Sequence, residues 1–113
     1  MTEIHSGNAK IDGADSRGWI VGSFMPDGVR HSDTTEIKYG IHTAGEARTE
    51  WVGGEKRKTL FILLQGIFVM EFIEQTVILE RPGDYVMWGP GVSHKWNSPV
   101  DSIGLTVRWI EAK

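Results

Sequence analysis

The chain has 113 residues, a formal net charge of −3 and no cysteine. This length fits one domain with a single hydrophobic core, and 40% hydrophobic with 24% charged residues is an ordinary globular composition. The absence of cysteine excludes disulfides, thiolate chemistry and cysteine-ligated zinc. The net negative charge, without a cluster of lysine or arginine, gives no reason to expect a nucleic-acid partner.

Residues 1–18 are polar and interrupted by glycine and aspartate. They contain no apolar segment typical of a signal peptide, so we expect a cytoplasmic protein. The longest apolar run, 60–64, is far too short to span a bilayer, so no membrane partner is expected. The pattern predicts a loosely ordered N-terminal arm over 1–18 and one β-barrel domain over 19–113.

Short β-branched and aromatic runs, separated by many of the 14 glycines and 4 prolines, dominate the rest of the chain. No segment keeps a helical period over three turns. Strands are therefore predicted at 19–25, 35–43, 47–52, 59–65, 67–73, 76–79, 85–88, 94–97 and 102–110. A set of eight or nine short strands predicts an all-β jelly-roll barrel rather than an open sheet.

The strand predicted at 59–65 is apolar on both of its faces. Phe61 and Leu63 lie on one face, and Leu60, Ile62 and Leu64 lie on the other. A strand of this kind must be covered on both sides, and a sandwich this small covers only one of them. We therefore expect a second subunit to cover the other side, in a homodimer.

The segment 83–97 reads Gly-Asp-Tyr-Val-Met-Trp-Gly-Pro-Gly-Val-Ser-His-Lys-Trp-Asn. It places His94 at the start of a strand, directly after a rigid turn. The segment resembles the second motif of the cupin superfamily, in which Gly83, Gly91 and His94 hold the glycine, glycine and histidine positions. The match departs from the motif at Gly89, which stands at the first proline position, and at Ser98, which stands at the asparagine position. The resemblance implies a cupin barrel, also called a double-stranded β-helix.

The first cupin motif normally supplies two histidines and a glutamate to a metal site. When the motif is anchored on Gly45, Trp51 and Gly53 stand at the two histidine positions. When it is anchored on Gly66, Thr59 stands at the glutamate position. The resemblance therefore implies a cupin whose first motif is degenerate and whose usual His3Glu site for Mn, Fe, Ni or Zn has lost three ligands. A single imidazole does not hold a divalent cation against water, so no cofactor is expected.

Four residues are the candidate ligand-binding residues of the barrel: His42, Trp51, His94 and Trp96. Strand alternation puts Glu36 on the same face as His42, several residues away. The resemblance also implies that the residue three positions before the turn glycine points inward. In this chain that residue is His42. If a metal were bound, His42 and His94 would be its ligands, completed by a carboxylate or water. His94 is the best candidate for a catalytic residue.

Three functions are compatible with these residues. The first is a small-molecule-binding cupin barrel without the usual metal site, whose pocket offers aromatic surface and two imidazoles. The second is a metal-dependent enzyme, an isomerase, dioxygenase or decarboxylase, with a site rebuilt around His42 and His94. The third is metal-free acid–base catalysis in which His94 transfers a proton. We rank binding first and leave open whether the protein is an enzyme; the ligand itself is not specified by the sequence.

Overall fold

The computed structural model describes residues 3–111, and in this range it contains nine β-strands and two short helical segments. The elements are a helix α1 (Ala9–Asp12), a 3-10 turn (Ala14–Ser16), β1 (Trp19–Val21), β2 (Thr35–His42), β3 (Ala47–Val52), β4 (Lys58–Gln65), β5 (Phe68–Phe72), β6 (Thr76–Leu79), β7 (Tyr85–Trp88), β8 (His94–Asn97) and β9 (Ser102–Trp109). No helix in this range is long and apolar enough to cross a membrane.

The strands form two antiparallel sheets that face each other. The larger sheet has the order β1-β2-β9-β4-β7, and the smaller one has the order β3-β8-β5-β6. Consecutive strands often lie in different sheets, which is the connectivity of a jelly roll. The predicted all-β jelly-roll barrel is confirmed.

The hydrophobic core lies at one end of the space between the sheets. Phe61 and Leu63 of β4 meet Phe68 and Met70 of β5, and Leu79 completes the buried set. The rings of Phe61 and Phe68 are stacked with their centroids 4.5 Å apart. Burying a side chain of this size contributes about 1.5–3 kcal/mol. The core therefore ties the two sheets together through β4 and β5.

The outer face of the larger sheet is apolar across four neighbouring strands. On β4, Thr59, Phe61 and Leu63 are buried in the interior, so the alternate side chains point outward. The strand registers place these outward residues beside apolar residues of β2, β9 and β7. The face consists of Ile37, Tyr39, Ile41, Leu60, Ile62, Leu64, Tyr85, Met87, Ile103, Leu105 and Val107. Both faces of β4 are thus apolar, as predicted, and one of them lies outside the barrel.

The first strand is shorter than predicted: it ends at Val21, whereas the sequence predicted a strand over 19–25. The chain turns at Gly22, whose carbonyl accepts a hydrogen bond from the Met25 amide at 3.2 Å. The Phe24 side chain folds back toward Trp19, with 5.7 Å between the ring centroids. This local turn removes residues 22–25 from the sheet.

The arm before β1 packs against the barrel through backbone contacts. The Asn8 side chain caps α1 by accepting hydrogen bonds from the Lys10 and Ile11 amides. The carbonyl of Gly18 accepts a hydrogen bond from the Tyr39 amide at 2.8 Å, which attaches the end of the arm to β2. The loose order predicted for residues 1–18 stays a prediction.

We expect Gly104→Ala to destabilise the protein by about 1 to 3 kcal/mol. Gly104 lies on β9 facing the interior, and a Cβ atom there would overlap the Phe61 ring. The free energy of unfolding from urea denaturation measures the loss. Gly89→Ala is the matched control, because a Cβ atom at Gly89 meets nothing within 4 Å. Equal stability of the two variants would contradict this account of the core.

Candidate functional site

Between the sheets, beside the core, lies an inner cavity of about 110 Å³. Side chains of both sheets line it, and they fall into two groups. The polar group consists of Lys38, His42, Arg48, His94, Thr59, Thr106 and Arg108. The apolar group consists of Val52, Phe61, Phe68, Met70, Trp88 and Trp96. The structure thus brings together three of the four predicted ligand-binding residues, His42, His94 and Trp96.

His42, at the end of β2, is 9% exposed and lies among aromatic rings. Its ring centroid is 4.7 Å from that of Trp96 and 5.1 Å from that of Phe68. The Nδ1 atom lies 3.5 Å from Oε1 of Glu46 but has no hydrogen-bond partner among the described residues. Burial lowers the pKa of His42, and the Glu46 carboxylate only partly opposes this effect. A buried, neutral imidazole with an unpaired nitrogen therefore faces the interior.

His94 is positioned by the turn that precedes β8. Gly91 has a φ of 79°, a backbone conformation that favours glycine, and its amide donates a hydrogen bond to the Glu55 carbonyl. The Nδ1 atom of His94 lies 3.0 Å from the Val92 carbonyl oxygen. Because a carbonyl only accepts, Nδ1 carries the proton and Nε2 keeps its lone pair. Burial lowers the pKa of His94; the hydrogen bond to the Val92 carbonyl partly opposes this effect, and the charges of Arg108 and Arg48 add to it.

Trp51, the fourth predicted residue, does not line the cavity. Val52 points inward, so its neighbour Trp51 points to the outside, where it is 45% exposed. The ammonium group of Lys95 lies 4.7 Å from the centre of the Trp51 ring. The pairing of β3 with β8 is irregular between Arg48 and Val52, which shifts this part of β3 relative to its partner. Trp51 thus lies apart from the other three residues.

Three cationic side chains in the cavity wall were not among the sequence candidates: Lys38, Arg48 and Arg108. Lys38 lies two residues from Glu36, on the interior face of β2, so strand alternation was the signal that would have found it. Lys38 and Arg108 both lie over the ring of Trp19, at 5.6 and 4.9 Å from its centroid. Burial lowers the pKa of Lys38, and the nearby charges of Arg108 and Arg48 add to this effect.

Of the three cations that line the cavity, Arg108 is the one that forms ion pairs with carboxylates among the described residues. Its Nη1 atom lies 3.4 Å from Oε1 of Glu36 and 3.7 Å from Oε2 of Glu55. Arg57 joins the same group, with Nη1 3.0 Å from Oε1 of Glu55. This network of two arginines and two glutamates lies at the end of the barrel where β2 and β9 pair Glu36 with Arg108.

An outer pocket of about 370 Å³ lies between the N-terminal arm and β2. Lys38, His42 and Trp96 line both this pocket and the inner cavity. Lys10 and Arg17 of the arm also line the outer pocket. The shared residues place the two spaces on either side of the same three side chains, so His42 stands where the outer pocket meets the interior.

The residues present do not fit the metal of the cupin family. Within residues 3–111, no three His, Asp or Glu side chains converge as a metal-binding group. His42 and His94 share the cavity with Lys38, Arg48 and Arg108, whose positive charges repel a divalent cation. Glu46, the carboxylate beside His42, also accepts a hydrogen bond from the Thr43 amide at 2.6 Å. The chemistry of this donor set favours an anion over a cation.

No family model matches the sequence, and no curated protein matches it. Several solved structures are similar to the chain. A cupin superfamily protein from Desulfitobacterium hafniense has 25% identity and a TM-score of 0.64, with 71% of each chain covered. A cupin-2 domain protein from Shewanella frigidimarina has 16% identity and a TM-score of 0.58, over 76% of this chain and 80% of its own.

One similar structure is an enzyme. DMSP lyase DddQ from Ruegeria pomeroyi has 18% identity and a TM-score of 0.60, over 72% of this chain but only 40% of the lyase. A structural similarity at this level of sequence identity supports a shared fold and nothing about activity. Together the comparisons confirm the resemblance found in the motif at 83–97: the chain has the fold of a small cupin domain. The degenerate state of its first motif stays a prediction.

We expect both cavity imidazoles to be neutral at pH 7. An NMR titration of the histidine rings should give midpoints below the ordinary 6.5 for His42 and His94, because burial lowers both pKa values. His31 is the internal control, since its hydrogen bond to the Met25 carbonyl raises its pKa above that value. A midpoint above that of His31 for either cavity histidine would contradict the burial described here.

The same pKa shifts have a consequence for stability. Between the lowered pKa of the folded state and the ordinary pKa, the unfolded chain binds more protons than the folded one. The free energy of unfolding should therefore fall as the pH is lowered through this window below 6.5. In His94→Gln, whose side chain does not titrate, this fall should be shallower than in the wild type.

Proposed function

We propose that the protein binds a small molecule inside its cupin barrel, without the usual His3Glu metal site. The observation that carries this proposal is the inner cavity, which holds two lowered-pKa imidazoles beside aromatic rings and adjoins the outer pocket. Small-molecule sites are concave, largely apolar and supplied with a few placed polar groups. The cavity is concave, and its placed polar groups lie beside an aromatic and aliphatic surface.

The polar groups of the cavity have unused hydrogen-bonding capacity. Within the described part of the chain, Nδ1 of His42 has no partner, and Nε2 of His94 forms no hydrogen bond. An unsatisfied buried polar group costs about 1–3 kcal/mol. A ligand that pairs with either nitrogen would recover part of that free energy. These two atoms therefore support a polar ligand at the imidazoles.

The aromatic groups provide the rest of the contact surface. Trp96 stacks on Phe68 with 5.1 Å between the ring centroids, and Trp88 packs against His94 at 4.7 Å. Such rings hold a ligand by apolar contact and fix its orientation. If the site also catalyses a reaction, His94 is the residue of choice, since its Nε2 has a lone pair that can accept a proton.

A metal-dependent enzyme built on His42 and His94 is the weaker alternative. Its support is that both imidazoles line one cavity. The cations Lys38, Arg48 and Arg108 around them argue against it, for the electrostatic reason given above. Metal-free binding therefore ranks first.

Ligand binding is tested by tryptophan fluorescence with a panel of small carboxylates, amides and alcohols. We expect a saturable change in emission that Trp96→Phe reduces, because Trp96 lines the cavity. Trp51→Phe is the matched control and should keep the change, since Trp51 lies outside the cavity and 45% exposed. A panel that leaves both the emission and the melting temperature unchanged would contradict the proposal.

We also propose that the apolar outer face of the larger sheet binds a second copy of the chain. The face spans four strands, and among the described registered positions Lys58, at the end of the face beside Trp109, is its one charged side chain. The rest of the face is apolar and therefore complementary to itself. Ile41 and Met87 on it are each 50% exposed. Monomers rarely expose an apolar patch of more than a few hundred Å². A symmetric dimer uses the same patch on both subunits.

The dimer is tested by light scattering at micromolar concentration. We expect twice the chain mass for the wild type and the monomer mass for Ile62→Lys, which places a charge at the centre of the apolar face. Ile78→Lys is the control, because Ile78 is 59% exposed on the smaller sheet. A monomeric wild type would show that this face is not a dimer interface.

A further inference from the structure

We propose that the ligand of the inner cavity is a short-chain organic carboxylate, whose carboxylate group is held by Lys38 and Arg48 and whose chain lies against the aromatic side chains. This inference rests on the proposed binding function and specifies its ligand class. It is carried by the charges that surround the cavity, by their partners, and by the size and polarity of the space.

The cavity is cationic although the chain is acidic. The formal net charge of the protein is −3. Among the described residues that line the cavity there are three cations, Lys38, Arg48 and Arg108, and no carboxylate. A concentration of positive charge against the sign of the whole chain marks a place that attracts anions.

Two of these cations lack a carboxylate partner. Arg108 is paired with Glu36 and Glu55, whereas Lys38 and Arg48 form no ion pair with any residue between 3 and 111. Lys38 is half-buried, and a buried charge without a partner destabilises a protein. Arg48 lies on the edge strand β3 at the exposed rim of the cavity. A bound carboxylate would supply the missing counter-charge to both.

The approach to the cavity has the same sign. Lys10 and Arg17 of the N-terminal arm line the outer pocket together with Lys38. Glu46 is the one carboxylate among the described residues that line this pocket. The excess of positive charge along this path would raise the local concentration of an anionic ligand.

The cavity accepts a small ligand with an apolar part. Its volume of about 110 Å³ corresponds to roughly four water volumes. Phe61, Phe68 and Met70 also line the cavity, and they provide contact for a hydrocarbon chain. Inorganic phosphate has no apolar part to match them. A short-chain carboxylate matches both the cations and the apolar residues of the lining.

Isothermal titration calorimetry of the full chain at low salt tests this proposal. The probes are acetate, propionate and butyrate, with the matched amides acetamide, propionamide and butyramide, and inorganic phosphate. We expect at least one carboxylate to bind saturably, and its amide to bind at least about tenfold more weakly, because the amide lacks the charge-assisted hydrogen bonds.

Substitutions locate the site. Lys38→Met and Arg48→Gln should each weaken carboxylate binding by about tenfold or more. Lys95→Met is the matched control and should leave it unchanged, because Lys95 lies over Trp51 outside the cavity. Arg48 is exposed, so Arg48→Gln tests the proposal even if Lys38→Met fails to fold.

The remaining outcomes separate this proposal from the function on which it rests. If an amide binds as tightly as its carboxylate, the binding function stands and the carboxylate assignment is overturned. If phosphate binds as tightly as the carboxylates, the cavity is a general anion site and the assignment is likewise overturned. If neither the acids nor the amides bind, the carboxylate assignment is overturned, and the binding function is overturned as well only if the alcohols of the fluorescence panel also fail to bind.

Discussion

The ion pair between Arg108 and Glu36 joins neighbouring strands β9 and β2 in the middle of the larger sheet. It allows a charged side chain to lie in the wall of a small barrel, since a charge there is tolerated only with a partner. Glu55 and Arg57 extend the pair to a group of four charges at that end of the interior. Stacked aromatic rings fill the adjoining core, so both cations and apolar side chains line the cavity.

The cations in the cavity wall explain why a cupin barrel need not keep cupin metal chemistry. A metal site requires several converging donors with negative or neutral character. Here the two imidazoles share their surroundings with cations, and Lys38 and Arg48 supply positive charge where a metal would have to be held. His42 and His94 can act in the cavity as neutral hydrogen-bonding groups. The fold is common to many cupins, whereas the chemistry belongs to the side chains placed on it.

Much of the fold was predictable from the sequence, because strand alternation and turn residues act locally. The bounds of β3, β6, β7 and β8 agree with the prediction, and His42 and His94 both line the interior. Trp51 was assigned to the pocket by motif position, but its neighbour Val52 lines the cavity, so strand alternation puts Trp51 outside. Arg48 shares the inward face with Val52. The register of β3 against β8 depends on contacts between distant segments, which the sequence does not reveal.

The most direct test of this account is a crystal structure of the protein grown with both sodium propionate and manganese chloride. The account predicts a propionate in the inner cavity, with its carboxylate oxygens within hydrogen-bonding distance of Lys38 or Arg48 and its chain against Phe68. It also predicts no anomalous peak from manganese between His42 and His94. A manganese ion held by these two imidazoles, with the cavity free of propionate, would contradict it.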